Sequence, residues 1–193
     1  MIDDNIVVAL ELSAQRVGHQ PFGQVAGQIR LALGEEAFQL TRSAEGGNRD
    51  PRWSPDGRWL GFLSDRGEDT QVFRIDPRGG EAAALTDVDG GVSSFRWSPD
   101  SLKIAFTATD PKAETADARE KRYGAYAVED EDLRHSHLWL VATEKGAEPR
   151  RLTEGNELSV DDYAWSPDGG SIAFSHRPRP QVDAFPDADI SLV

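Results

Sequence analysis

The chain has 193 residues, and its 34 acidic residues against 21 Lys and Arg give a formal net charge of −13. This acidity argues against nucleic-acid binding, and no apolar stretch approaches the roughly 20 residues of a membrane helix. Cysteine is absent, which excludes disulfide and thiolate chemistry. The opening residues MIDDNIVVALEL contain two Asp and no basic residue, unlike a signal peptide. We therefore expect a cytoplasmic protein of one domain, or one part of a larger domain.

The first segments of strand length lie before residue 42. They are NIVVALEL (5–12), GQIRLAL (27–33) and EAFQLT (36–41). Apolar runs of this length between turn-forming residues predict β-strands. By comparison with the units that follow, they predict the second, third and fourth strands of a unit that lacks its first strand.

The next unit is complete. Its strand-length runs lie at 50–53, 58–64, 70–76 and 81–86, and the turn-forming sequences SPDG, DRGED and PRGG separate them. In SPDG, Pro presets φ, Asp can bond to nearby backbone, and Gly accepts a positive φ. Trp53 stands directly before this turn and ends the first strand, so we expect its large ring to pack between sheets.

The same phrase occurs three times, which makes it the marker of a repeat. Trp53 and Trp97 are 44 positions apart, and Trp97 and Trp165 are 68 apart. Leu-Thr pairs are spaced by 45 and then 67 positions. Both markers indicate a repeat of about 44 residues, with about 23 residues inserted in one copy. The phrases are RWSPDGRWLGFLSDR (52–66), RWSPDSLKIAF (96–106) and AWSPDGGSIAF (164–174), and the Leu-Thr pairs are at 40–41, 85–86 and 152–153.

A four-stranded unit repeating every 40–50 residues is typical of a β-propeller blade. We therefore predict an all-β protein, a partial propeller of about four blades of four-stranded antiparallel sheet. Blade 1 covers about 1–45, blade 2 46–89, blade 3 90–156 with the insertion 109–136, and blade 4 157–193. The predicted structural motif consists of Trp53, Pro55, Asp56, Gly57, Trp97, Pro99, Asp100, Trp165, Pro167, Asp168 and Gly169.

One copy of the turn departs from the pattern, because Ser101 replaces Gly. A residue other than Gly is uncommon at positive φ, so this turn is either strained or of another type. The second strand of each blade, such as Ile104–Phe106 or Ile172–Phe174, is continuously apolar. We expect it to be buried on both faces, with a small central residue that lets neighbouring sheets approach.

Blade 4 is predicted to be incomplete, since DADISLV (187–193) matches a third strand and no fourth follows. Blade 1 lacks a first strand, so we expect an open arc with incomplete blades at both ends. Open apolar faces favour association. The expected partners are the remaining blades and hydrolase domain of a longer peptidase, or further copies of this chain.

These blades resemble the PD40 type of WD40-like propeller, found in TolB proteins and in the prolyl oligopeptidase family of serine peptidases. Further stretches resemble the acylaminoacyl-peptidase-like branch of that family. They include the end of the second strand in 38–66, the Ser-His-Leu-Trp strand in 121–141, and the stretches 149–155 and 164–178. The resemblance implies that the propeller caps an α/β-hydrolase domain and limits entry to short peptides.

The chain departs from the full family pattern at the catalytic site. No Gly-x-Ser-x-Gly nucleophile elbow occurs in it, and the closest strings, GGVSS (90–94) and GGSIA (169–173), predict entries from turns into strands. No catalytic residue is therefore carried over from the family, no cofactor is predicted, and the binding residues are left open.

Two other groups invite a metal interpretation. His135 and His137 alternate on a predicted strand near Asp130 and Asp132, but metal sites need three or four converging ligands, and a hairpin with solvated acids is the simpler interpretation. DVDGG (87–91) begins like a calcium loop without its closing Glu, and predicts a loop between blades. No metal site is predicted.

The insertion 109–136 and the function of the whole chain leave alternatives open. The insertion carries charges of both signs and is either a mobile surface loop or a lid over the propeller mouth. The chain is interpreted as a non-catalytic propeller segment that gates or caps substrate access in an acylaminoacyl-peptidase-like enzyme. The alternatives are a TolB-like propeller that binds a protein or peptide, and an inactive scaffold fragment.

Overall fold

The computed structural model describes residues 7–8, 38–41, 46–111 and 134–193. These residues form thirteen β-strands and one short 3-10 helix, and they contain no α-helix. No helix among them has the length and apolar character needed to cross a lipid bilayer. The predicted all-β class is therefore confirmed.

Blades 2 and 3 are four-stranded antiparallel sheets whose strands lie in chain order. The long insertion of blade 3 connects its second and third strands, and the Asp110 N–H donates to the His135 carbonyl oxygen (2.9 Å) where the insertion leaves the sheet. The strands of blade 2 are β3 (Asn48–Trp53), β4 (Leu60–Ser64), β5 (Gln71–Ile75) and β6 (Ala83–Ala84); those of blade 3 are β7 (Val92–Trp97), β8 (Lys103–Thr109), β9 (Ser136–Ala142) and β10 (Arg150–Arg151).

Blade 4 has three strands in the described residues. They are β11 (Ser159–Trp165), β12 (Ile172–Arg177) and β13 (Asp189–Leu192), again antiparallel and in chain order. A 3-10 helix (Val182–Asp187) connects β12 to β13. The segment predicted to be a third strand therefore takes that position.

Blade 1 is described only where β1 (Val7–Val8) pairs with β2 (Phe38–Gln39). The prediction placed these two segments as second and fourth strands, which cannot be neighbours in a four-stranded blade. That expected order is wrong, because the backbone groups of 7–8 take their partners directly from 38–39. The predicted third strand, 27–33, lies outside the described residues.

The two larger apolar clusters lie between blades, and a smaller one on blade 2 consists of Leu60, Phe62 and Ile75. Phe95 and Trp97 of blade 3 pack with Val72 of blade 2 in one cluster. Val160 and Tyr163 of blade 4 pack with Leu138 of blade 3 in another. Each sheet therefore buries its faces only against its neighbours, as layered sheets must.

The burial of the second strand in each blade depends on whether a neighbouring blade covers both of its faces. All five residues of β4 are buried, whereas burial in β12 is full only at Ile172 and Phe174. The expectation of complete burial therefore fails in blade 4. Its strand β12 has blade 3 on one side, and in the described part of the chain no further sheet covers the other side.

Gly61 marks the closest approach of two sheets. A Cβ built on this residue would lie 2.8 Å from the Phe95 ring and 3.0 Å from the Trp97 ring. The equivalent residue of blade 3 is Ala105, which is fully buried. A small residue at the centre of the second strand is therefore what permits the neighbouring aromatic rings to seat.

We expect Gly61→Ala to destabilise the chain by about 1–3 kcal/mol, because the Phe95 and Trp97 rings must shift to admit the methyl group. Urea unfolding followed by tryptophan fluorescence measures this change. Gly67→Ala is the matched control, since the nearest atom to its Cβ lies 4.0 Å away. That variant should be neutral or slightly stabilised, and equal effects of both substitutions would contradict the packing argument.

Candidate functional site

The repeated turn has the same hydrogen bonds in all three blades. The Ser hydroxyl donates to the Asp carboxylate and accepts the backbone N–H five residues further on, at 2.9–3.0 Å. The carboxylate also accepts the N–H two residues after itself, at 2.9–3.1 Å. The Ser–Asp pairs are Ser54–Asp56, Ser98–Asp100 and Ser166–Asp168, at 2.5, 2.5 and 2.6 Å.

These hydrogen bonds hold the pKa of Asp56, Asp100 and Asp168 below the usual value of 3.8. The Ser hydroxyl is the main cause in each turn, and the backbone N–H comes next. Both donors favour the ionised carboxylate. The Pro residues of the motif, Pro55, Pro99 and Pro167, lie between the paired Ser and Asp.

Ser101 occupies the left-handed position of its turn. Its φ is +64°, and the equivalent Gly57 and Gly169 both have φ of +70°. The turn type is thus unchanged, and Ser101 is held in an unfavourable conformation. Its buried hydroxyl accepts the backbone N–H of Asp56 (3.0 Å), which links the turn of blade 3 to that of blade 2.

The three motif tryptophans all end the first strand of their blades. The Trp97 Nε1–H donates to the Arg52 carbonyl oxygen (3.1 Å), and the Trp165 Nε1–H donates to the Arg96 carbonyl oxygen (3.3 Å). Each indole therefore bonds to the backbone just before the Trp of the preceding blade. Trp53 is 40% exposed, against 8% for Trp97.

The Leu-Thr pairs secure the third strand. The Thr86 hydroxyl oxygen accepts the Val72 N–H (2.8 Å), and that of Thr153 accepts the Leu138 N–H (3.0 Å). The Leu85 N–H donates in turn to the Val72 carbonyl oxygen (2.8 Å). A short fourth strand is in this way bonded to the third, and the sequence marker is explained.

Charged side chains of the first strands form ion pairs that the sequence spacing did not reveal. Arg96 contacts Asp162 of the next blade, with 2.8 Å between Nη2 and Oδ1. Arg52, the equivalent of Arg96, pairs with Asp50 of its own strand (3.0 Å), because blade 3 has Ser94 at the position that corresponds to Asp162. The Arg96–Asp162 pair therefore links the first strands of blades 3 and 4.

The predicted histidine pair is split by burial. His137 is fully buried on β9, and its Nδ1 lies 3.2 Å from the Thr153 hydroxyl. That hydroxyl oxygen also accepts the Leu138 N–H, at 3.0 Å. The Nε2 atom lies 3.3 Å from the Asp110 carboxylate, in poor hydrogen-bond alignment. His137 takes the position that Gln71 has in blade 2. There Thr86, the equivalent of Thr153, donates its hydroxyl proton to the Gln71 amide oxygen (2.8 Å). The contact of His137 with Thr153 is therefore structural.

Asp110 joins His137 to a cation. Its other oxygen lies 3.2 Å from Nη1 of Arg151, whose guanidinium stands over the Trp139 ring at 5.8 Å. Burial is the main cause that lowers the pKa of His137, and Arg151 adds to it. Sequence reasoning missed this group, because Asp110 and His137 are 27 positions apart and most of the insertion lies between them.

The metal interpretation finds no further support. Among residues 46–111 and 134–193, no three His, Cys, Asp or Glu side chains are grouped as ligands. Asp130 and Asp132 lie outside the described residues, as does most of the insertion. DVDGG forms the loop between β6 and β7, with φ of +81° at Gly90 and +77° at Gly91.

Comparison with known proteins finds a similar peptidase segment. The chain is 37% identical over 159 residues to the uncharacterized peptidase YuxL of Bacillus subtilis (strain 168). The matched region covers 75% of this chain and 24% of that peptidase. This chain is homologous to a segment of a peptidase. It spans about a quarter of that relative's length. No family model matches the chain.

Solved structures agree on the propeller fold. The acylaminoacyl peptidase of Pyrococcus horikoshii matches 86% of this chain and 25% of its own, with a TM-score of 0.54 and 20% identity. A putative TolB from Agrobacterium tumefaciens matches 86% of this chain and 55% of its own, with a TM-score of 0.53 and 15% identity. At these identities the likeness shows the fold, and the resemblance to peptidase and TolB propellers is confirmed.

The turn carboxylates generate a prediction about acid stability. Because their pKa in the folded chain is lowered, their stabilisation is complete above pH 3.8 and is lost as the pH falls through the folded values. We expect the triple variant Asp56→Asn, Asp100→Asn, Asp168→Asn to be less stable at pH 7 and to lose less stability between pH 4 and 2. Urea unfolding at each pH measures both changes.

A charge-matched control removes three acids outside the turns. The variant Glu81→Gln, Glu144→Gln, Glu154→Gln changes the net charge equally and touches none of the turn hydrogen bonds. If it flattened the acid dependence as much as the turn variant does, net charge and not the turn geometry would be the cause.

Proposed function

We propose that this chain is the propeller segment of a serine peptidase similar to acylaminoacyl peptidases, and that it caps a hydrolase domain carried outside these 193 residues. The supporting observation is the 37% identity over 159 residues with peptidase YuxL. In this role the segment contributes no catalytic residue. It excludes large substrates from the hydrolase, and it acts in the cytoplasm.

The packing suits a wall that limits access. Blades 2, 3 and 4 are joined by apolar clusters and by two indole-to-carbonyl hydrogen bonds. Close-packed sheets of this kind resist deformation. Substrate selection would then depend on the size of the opening, while Arg96 and Asp162 give its wall a polar, charged surface.

The exposed face of blade 4 supports a role as part of a larger assembly. The strand registers make Val72, Leu138 and Ile190 equivalent residues of the third strand. Val72 and Leu138 are fully buried against the following blade, whereas Ile190 is 79% exposed. Leu192, two residues on, is 74% exposed. We propose that a further blade covers this face, with a Trp indole donating to the Ala164 carbonyl oxygen.

We expect the isolated chain to self-associate, because the exposed Ile190 and Leu192 extend an apolar face that water does not solvate well. Size-exclusion chromatography with light scattering on dilute chain measures the mass. Ile190→Lys with Leu192→Lys should restore the monomer. A single monomer peak with a cooperative melt for the unaltered chain would contradict the proposed open face.

The same proposal predicts that the chain alone is inactive towards an acyl-amino-acid anilide. When it is mixed with the remaining segment of the homologous peptidase, anilide hydrolysis should persist while hydrolysis of casein falls. Anilide hydrolysis by the chain alone, sensitive to a serine-directed phosphonate, would contradict the non-catalytic role. Unchanged casein hydrolysis in the mixture would contradict the capping role.

A second candidate function is that of a TolB-like propeller that binds a protein or peptide. The observation in its favour is that the match to the putative TolB covers 55% of that chain, against 25% for the acylaminoacyl peptidase. The gene sequence discriminates between the two. A continuous reading frame that encodes further blades and a Gly-x-Ser-x-Gly elbow supports the peptidase, and its absence supports the binding propeller.

A further inference from the structure

A cavity of about 380 Å³ opens between blades 2 and 3. Residues 87–89 of the loop between the two blades form one wall, and residues of β8, β9 and β10 with their flanking positions form the other. Carboxylates, an aromatic ring, a proline and a guanidinium converge on it. They belong to Asp87, Asp89, Asp110, Trp139, Pro149 and Arg151.

The polar lining is not required by the blade architecture. The registers of blades 2 and 3 align Asp110 with Arg66, and they align Trp139 with Phe73. In blade 2 Arg66 stacks over Phe73 with 4.4 Å to the ring centroid, and no carboxylate takes the place of Asp110. A guanidinium over the aromatic ring occurs in both blades, whereas the carboxylates of Asp89 and Asp110 align with Asn156 and Arg66 and so have no acidic counterpart.

The charges of the cavity are unbalanced. Asp110 neutralises Arg151, with 3.2 Å between the oxygen and Nη1. Asp87 and Asp89 are exposed, and neither forms an ion pair with another described residue. The fully buried His137 lies behind Asp110, with 3.3 Å between its Nε2 and the carboxylate. The cavity thus has a formal excess of two negative charges beside an aromatic wall.

We infer that this cavity binds an alkyl guanidinium or alkyl ammonium group, such as the side chain of an Arg or Lys in a peptide. The cation would lie between Asp87 and Asp89, and its alkyl stem would pack on Trp139 and Pro149. The Trp139 ring already contacts Phe106 and Arg151, so the carboxylates attract the cation and the indole offers apolar surface to its stem. The inference does not depend on the proposed peptidase role.

Calorimetric titration of the full chain with small probes tests the inference. The probes are N-acetyl-arginine methylamide, its uncharged counterpart N-acetyl-norvaline methylamide, and agmatine. We expect the arginine derivative to bind at least tenfold more tightly than the norvaline derivative and to shift the indole N–H resonance of Trp139. Agmatine that binds equally well indicates recognition of any alkyl cation, and weaker agmatine binding indicates a peptide side chain.

Three variants locate the site. Asp87→Asn with Asp89→Asn should weaken the arginine derivative about tenfold, and added salt should reduce the difference. Trp139→Phe keeps the residue type found in blade 2 and should weaken binding about threefold. Glu144→Gln with Glu154→Gln removes the same two charges outside the cavity and should leave binding unchanged. Equal binding of the norvaline derivative, or unchanged affinity in the Asp87 and Asp89 variant, would overturn the inference.

Discussion

The face-to-face packing of each blade on the next is the contact on which this structure depends. A single four-stranded sheet has little core of its own, and the two larger clusters join residues of neighbouring blades. Apolar burial supplies most of the free energy, while the indole-to-carbonyl bond contributes about 1 kcal/mol and fixes the geometry. Trp97 can reach the Arg52 carbonyl oxygen only because Gly61 leaves room for its ring.

The Ser-Pro-Asp-Gly turn follows from this requirement. The Trp must stop at the level of the carbonyl oxygen that its indole bonds in the preceding blade, so the chain has to reverse at once. The Ser–Asp hydrogen bond satisfies the turn internally, without help from other elements. Ser101 shows that the turn also serves contacts between blades, since its hydroxyl bonds to Asp56 at the expense of a left-handed conformation.

The sequence repeat predicted blades 2, 3 and 4 because the Trp and Leu-Thr residues make equivalent hydrogen bonds in successive blades. The repeat pattern could not predict contacts that occur in one blade only. The direct pairing of 7–8 with 38–39 depends on which strands compete for the same backbone groups. The Asp110–His137–Arg151 group closes across an insertion, where spacing carries no information. Arg96–Asp162 was accessible in principle, since the Arg precedes one Trp by one residue and the Asp precedes the next by three.

In a repeat protein, equivalent positions of different blades can be compared to separate residues that the fold requires from residues that could serve function. Thr86 and Thr153 perform one task in two blades, so their conservation within the chain reports on architecture. His137 takes the position of Gln71 and contacts the equivalent Thr hydroxyl. A residue type that often serves in catalysis therefore has a structural role here. Asp110 and Arg151 have no such counterparts, and their aligned residues in blade 2 are Arg66 and Ala84. The strongest candidates for binding are therefore the positions where one blade departs from the next without any demand from packing.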